Sequence, residues 1–268
     1  MARKVTADDI AQGAAEVGIA GLPSCVHVSM RSFGVLEKGA ETVVEGLLGA
    51  GCTALVPSFS HQFEVAPPMH DRPSRNGIDY AAPRTYFGDG LVYGPDAVIE
   101  PWLGNVAAYV AARRDVVRGG DAVGSFAAVG PLAADLIVEH TGDMFGPLRA
   151  LARLDGWVVL MGVGLNRMTL LHLAEVMAGR RPFIRWVAGP EGVVRLGVGL
   201  CSEGFLNLEP TLATLERTMT VGSSLWRAFP AAATVEAAAR EIRVHPEVTW
   251  CGRNCVECAD AIAGGPIG

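Results

Sequence analysis

His172 and Glu175 are the pair in this chain best suited to move a proton. They lie three residues apart in TLLHLAEVMA, so on a helix they project from neighbouring positions of one face. A histidine takes up and gives back a proton near neutral pH, and a carboxylate one turn on can orient its ring. Thr169, one turn earlier, adds a hydroxyl to the same group. A histidine on a helix is also a common structural residue, so the pair becomes a site only if the fold opens it to a ligand.

A second group has anion-binding chemistry. In VHVSMRSFG, Ser29, Arg31 and Ser32 follow an apolar run and precede Phe33-Gly34. Two hydroxyls and a guanidinium at a strand end can hold a phosphate, although an ordinary turn has the same composition. The segment matches no P-loop or dinucleotide fingerprint. A third group is Cys251-x3-Cys255-x2-Cys258. Three thiols at this spacing can reach one tetrahedral zinc, with His245 or Cys201 as fourth ligand, and free thiols fit the pattern equally well. A fourth is the set of carboxylates Glu64, Asp71, Asp79, Asp89 and Glu100 in a segment rich in proline. They suit a cationic small molecule or are solvated loop charges.

The elements that must position these groups are legible in the hydrophobic pattern. Trp157-Val158-Val159-Leu160-Met161, bounded by glycines, reads as a strand buried on both faces. Gly162-Val163-Gly164 leaves backbone room for a ligand, and Asn166 or Thr169 can cap the helix that carries His172. Ser24–Met30 and Thr53–Pro57 read as strands around a helix over 39–48, a parallel βαβ unit. Thr6–Val17 and 106–114 read as helices, and Ser125–Val129 as a strand. Residues 183–187 and 193–198 read as an antiparallel hairpin. Residues 208–218 and 234–243 read as helices. Residues 58–101 carry too many proline, histidine and Asn-Gly signals for regular structure, which suits a lid or binding loop.

The 268 residues carry a net charge of -6, which argues against a nucleic-acid partner. The longest apolar run is far short of a membrane span, and no secretory leader is visible. A cytoplasmic protein with reduced thiols is the resulting expectation.

The order and spacing of VHVSMRSFG, GCTALVPSFS, NGIDY, SFAAVGP, FGPLRALARLDG, WVVLMGVGLNRMTLLHLAE and CSEGFLNLEP resemble the aminoglycoside 3-N-acetyltransferases of the antibiotic N-acetyltransferase type. The resemblance runs from about Val26 to the C-terminus. It implies one α/β domain over 1–268 with a mixed sheet, helices on both faces, an irregular substrate region at 58–101 and a Cys-rich tail at 245–268. It implies transfer of an acetyl group from acetyl-CoA to the 3-amino group of a 2-deoxystreptamine aminoglycoside. On the same basis Ser29, Arg31, Ser32 and Phe33 lie against the CoA pyrophosphate, with Ser125 and Phe126 near the cofactor. Thr169, His172 and Glu175 match the active-site motif, with His172 as general base. Asp71, Asp79, Glu100 and Asp121 are then the carboxylates for the cationic substrate. Apart from the resemblance, a zinc held by four protein ligands at the tail leaves no position for a substrate and would be structural.

The sequence departs from the family pattern at Arg118-Gly119-Gly120-Asp121-Ala122-Val123-Gly124-Ser125, where Asp121-Ala122 stand in place of the usual His-Pro. The Ser-Pro that usually follows the FGP segment is also missing near Leu148. These changes keep open a second reading: a member that binds CoA without acetylating drugs, acting on another amine or serving as a binding protein.

Overall fold

The computed structural model describes all residues except 1, 2, 90, 95, 138–143, 190 and 268. Thr6 starts helix α1 (Ala7–Val17) with a reciprocal cap: its hydroxyl accepts from the Asp9 amide, and Asp9 accepts from the Thr6 amide. There follow β1 (Pro23–Val28), α2 (Ala40–Gly49), β2 (Thr53–Pro57), α3 (Asn105–Ala111), β3 (Val117–Arg118), β4 (Phe126–Val129), α4 (Ala133–Leu136) and α5 (Gly146–Arg153). The second half contains β5 (Trp157–Met161), α6 (Leu170–Met177), β6 (Phe183–Gly189), β7 (Gly192–Val198), α7 (Glu209–Leu212), β8 (Arg217–Val221), β9 (Ser224–Pro230), α8 (Ala231–Val244) and α9 (Val256–Ile262).

Seven strands form a mixed sheet in the order β3-β4-β2-β1-β5-β9-β8. β2, β1 and β5 run parallel at its centre, and β4 and β9 flank them antiparallel. Alternation along the central strands explains their unbroken apolar sequences. Cys25, Leu55, Val158 and Leu160 face a core shared with α5, α6 and α8. Val26, Ala54, Val56, Val159 and Met161 face the opposite core, shared with α1, α2 and α3. The mixed sheet with helices on both faces is therefore the architecture expected, and β6 pairs with β7 as the expected hairpin, in a separate two-stranded sheet.

Two local expectations are corrected. Residues 208–218 do not make one helix: α7 covers Glu209–Leu212, and β8 begins at Arg217. β8 and β9 close on Gly222-Ser223, with Gly222 at φ 60°, a two-residue hairpin signal. Nor does Thr169 or Asn166 cap α6. Asn166 lies in a 3-10 turn (Leu165–Arg167), and Thr169 has helical backbone angles and makes no capping bond.

The stretch 58–101 is irregular, as expected, but firmly tied. Ser58 N–H donates to Ser125 O, Val65 N–H to Trp186 O, and Asn76 exchanges two bonds with Ile184. Arg75 bonds the carbonyls of Ala263 and Gly265, and Gly77 N–H donates to Asp260. The segment is thereby stitched to both the β6–β7 hairpin and the C-terminal tail. No helix among the described residues is long and apolar enough to cross a membrane.

Candidate active site

The carboxyl ends of β1, β2 and β5 open onto one cavity of about 840 Å3. Parallel strands of open α/β sheets place their ligands at this edge. Val28, Ser29, Met30 and Arg31 line it after β1, Pro57, Phe59 and His61 after β2, and Val163, Asn166, Arg167, Thr169 and His172 after β5. Trp102 and Asn105 come from the end of the irregular segment, and Gly199, Leu200 and Ser202 from the loop after β7. Glu257 of α9 completes the wall and is the sole carboxylate among the described lining residues.

His172 sits in the first turn of α6 and is 6% exposed. Its Nδ1 lies 2.8 Å from Glu175 Oε2. A carboxylate only accepts, so Nδ1 carries the hydrogen and Nε2 is left as the basic nitrogen. Arg180 donates to Glu175 Oε1 at 2.5 Å and is itself fixed to Thr249 Oγ1 at 2.8 Å and Pro246 O at 2.6 Å. Phe205 packs edge-on to the imidazole at 4.8 Å between centroids. Gly199 is pressed against it from the other side, where a Cβ would fall 2.2 Å from His172 Cγ. The ring is thus held by a charged chain and two packed neighbours, and it borders the cavity.

The serine-arginine segment divides. Ser29 and Arg31 line the cavity. Ser32 and Phe33 do not. Ser32 Oγ donates to Ser29 O and pairs with Ser224 Oγ, each at 2.7 Å, and its side chain fills the space over Gly162. The room expected beside Gly162 is therefore occupied by the chain itself. There a Cβ would strike Ser32 at 2.2 Å, and φ is 69°. Phe33 is buried edge-on to Trp226. Ser125 and Phe126 stand behind the wall as well. Ser125 Oγ donates to Ser58 O at 2.6 Å, and Phe126 is fully buried against Phe59. Arg118 completes this network through Ser58 O and Ser60 Oγ, which binds the irregular segment to β3 and β4.

None of the four expected substrate carboxylates lines the cavity. Asp71 accepts from Trp186 Nε1 at 2.8 Å and from Arg195 Nε at 2.7 Å. Asp79 accepts from the Ala81 amide, and Glu100 from the His61 amide. Asp121 lies within electrostatic reach of Tyr93, on the Ser125 side of the network. Glu64 is buried among Arg84, Arg185 and His61. Asp71, Glu64 and Glu100 hold the loop in place.

Sequence patterns did not single out His27, Arg167, Trp102 or Glu257. His27 lies on β1 in the cavity wall, and burial, with Arg167 nearby, pushes its pKa down to about 4. Arg31 and Arg167 are the two arginines of the lining. In the tail, the Sγ atoms of Cys201, Cys251, Cys255 and Cys258 all lie within 4.8 Å of one another. Cys201 is thus the fourth member, and His245 is not: its Nδ1 lies 3.8 Å from Glu247.

A family model for aminoglycoside 3-N-acetyltransferases matches residues 25–243, and the chain belongs to that family. It is 34% identical over 168 residues to aminoglycoside N(3)-acetyltransferase IX of Micromonospora chalcea, a stretch covering 58% of this chain and 56% of that protein. The match thus spans about half the length of this relative, and likewise of aminoglycoside N(3)-acetyltransferase III of Salmonella sp. Among solved structures, the aminoglycoside acetyltransferase AAC(3)-IVa apoenzyme superposes with a TM-score of 0.77 at 25% identity, covering 99% of each chain. The binary complex of AAC-IIIb with CoASH shares the fold, with a TM-score of 0.73 at 21% identity over 90% of this chain and 97% of that one.

Proposed function

We propose that this chain transfers an acetyl group from acetyl-CoA to the 3-amino group of a 2-deoxystreptamine aminoglycoside, with His172 as general base. The observation that carries the reading is the Arg180–Glu175–His172 chain, which fixes the imidazole tautomer and leaves Nε2 basic at a cavity edge. A substrate ammonium is protonated near neutral pH and must lose a proton before its nitrogen can attack the thioester. That proton leaves to solvent, and His172 Nε2 then takes a second one from the neutral amine as its nitrogen bonds to the acetyl carbon. The tetrahedral intermediate then collapses by breaking the carbon–sulfur bond, and the proton passes to the departing CoA thiolate. Glu175 stabilises the imidazolium between these steps, and Thr169 is the hydroxyl at hand for the oxyanion.

Ser29, Arg31 and Arg167 supply the anion-binding chemistry that the CoA phosphates need, while Ser32 and Phe33 shape that turn from behind. Family membership and the solved CoASH complex of a protein with the same fold support acetyl-CoA as cosubstrate.

The test is release of free CoA thiol from acetyl-CoA over a panel of aminoglycosides. Turnover should be lost by at least ~10²-fold in kcat in His172→Ala, the usual scale for a missing general base. Unchanged acetylation in that variant overturns the assignment. CoA binding with no aminoglycoside turned over by the native chain favours the second reading, which the Asp121-Ala122 departure motivates.

A further inference from the structure

We infer that Cys201, Cys251, Cys255 and Cys258 hold one zinc ion as four thiolates, and that this ion fixes Glu257 in the cavity wall as a carboxylate for a substrate ammonium. The metal half stands by itself; the ammonium half rests on the function proposed above.

The donor set and its geometry carry the metal. Zinc bound tetrahedrally at about 2.3 Å from each sulfur sets neighbouring sulfurs about 3.8 Å apart. The four Sγ atoms lie within 4.8 Å of one another, so small side-chain rotations close the tetrahedron. All four are free thiols, drawn from two places far apart in sequence. Backbone amides of Glu203, Arg253 and Cys251 point at the sulfurs of Cys201, Cys251 and Cys258, the kind of donors that stabilise coordinated thiolates. Four thiolates leave no coordination position for a substrate, so the ion is structural.

The stretch it fastens needs a fastening. From residue 251 to 258 the side chains are exposed or half-buried apart from Cys258, and no regular structure precedes α9. Apolar burial there is sparse, and the side-chain bonds that tie this part of the chain fall to either side of it, at Val248 and Trp250 and at Asp260 to Gly265, which is the usual setting for a metal staple.

The consequence for the cavity follows from adjacency. Cys258 is next to Glu257, the sole carboxylate among the described lining residues. Cys201 sits between Leu200 and Ser202, which line the same cavity, and two residues after Gly199, which packs on His172. One ion therefore binds together the loop behind the imidazole and the helix that carries Glu257. A polyamine substrate entering beside Arg31 and Arg167 needs a counter-charge near the base, and Glu257 supplies it.

Elemental analysis of protein purified without added metal tests the first half. About one zinc per chain is expected, falling below about 0.2 in Cys201→Ser and Cys258→Ser. Native protein with less than that, or with iron in zinc's place, overturns the metal. Replacement of zinc by cobalt should give the absorption of a tetrahedral thiolate complex, and an octahedral spectrum contradicts the assignment. For the second half, Glu257→Gln should keep its zinc and weaken calorimetric binding of a 2-deoxystreptamine aminoglycoside at least ~10-fold, the scale of one lost charged hydrogen bond. Acetyl-CoA binding should be unchanged. Equal aminoglycoside affinity in Glu257→Gln and native protein sinks the ammonium role and leaves the zinc. Absence of any aminoglycoside binding by native protein removes that role together with the proposed function, while the zinc content still decides the metal.

Discussion

Gly199→Ala places one methyl group against the proposed base, whose ring atoms are its three nearest neighbours. The new Cβ would lie 2.2 Å from His172 Cγ, 2.5 Å from Nδ1 and 2.6 Å from Cδ2. Ordinary van der Waals contact begins near 3.4 Å, so the closest pair must separate by about 1.2 Å. The imidazole has little freedom to retreat, because Nδ1 is bonded to Glu175 and Phe205 packs on the ring. Either the ring turns and loses Glu175, or the loop after β7 moves outward. A misplacement of about 1 Å at a reacting group costs on the order of 10²-fold in rate. The expected result is therefore a kcat lower by about 10²-fold, with KM for acetyl-CoA within about 3-fold of native because the phosphate-binding residues are untouched. Overpacking should also lower stability by about 1–3 kcal/mol, read from urea unfolding. The assay is thiol release at saturating acetyl-CoA and aminoglycoside. Gly49→Ala is the control, since a Cβ there meets nothing and Gly49 is not among the residues that line the cavity. A folded Gly199→Ala enzyme with native kcat refutes the argument that His172 must stay where the structure holds it.

Other expectations follow from single contacts. Arg180→Met leaves the half-buried Glu175 carboxylate with His172 alone and should cost about 2–3 kcal/mol in urea unfolding; a loss under about 1 kcal/mol shows that the pair is not held as described. Ser125→Ala removes a buried hydroxyl from Ser58 O, so stability should fall by about 1–2 kcal/mol while KM for acetyl-CoA stays put; a raised KM with unchanged stability returns Ser125 to the cofactor site. His27 is held neutral with a folded pKa of about 4 against an unfolded value near 6.5, so the unfolded chain binds the extra proton first as pH falls. Its contribution is intact above about pH 6.5 and fades down to about pH 4, by at most about 3 kcal/mol. His27→Gln should flatten that part of the stability–pH curve, and an unchanged slope contradicts the burial of the ring.

The sequence made the skeleton readable because its signals are local. β2 and β5 are short β-branched runs between turns, and a run buried on both faces has no polar alternation to blur its ends. The β8–β9 hairpin was missed because Leu208–Thr218 carries enough leucine at helical spacing to outweigh the Gly222-Ser223 turn beyond it. At the site, the His172/Glu175 pair was legible because both ends of the contact lie on one helix turn. Arg180, Phe205, Gly199 and Glu257 were not, because their relation to His172 is set by packing between residues 8 to 85 positions apart in the sequence. Hydroxyls misled for the opposite reason: Ser32 and Ser125 sit next to the cavity in sequence, yet each is used up by a partner brought from far away, Ser224 and Ser58.

The acidic residues narrow where the proposed substrate ammonium can be held. The irregular segment has the composition of a cation-recruiting lid, but three of its carboxylates are spent within the chain: Asp71 on Arg195 and Trp186, Glu64 on Arg84 and Arg185, Glu100 on a backbone amide. A carboxylate already neutralised by an arginine offers little field to an incoming ammonium, so this loop acts as a wall. The lining carboxylate that remains, Glu257, feels Arg185 and Arg84 as well but makes no ion pair among the described residues, and it lies beyond residue 243, where the match to the family model ends. Cys251, Cys255 and Cys258 lie beyond it too. His172, Glu175, Ser29 and Arg31 thus belong to the stretch shared with the family, and Glu257, the proposed ammonium site, belongs to a tail outside that match. On this division, exchanging the tail should change which amines bind and leave acetyl-CoA affinity alone. A tail exchange that instead weakens acetyl-CoA binding shows that the two ends of the cavity are not separable.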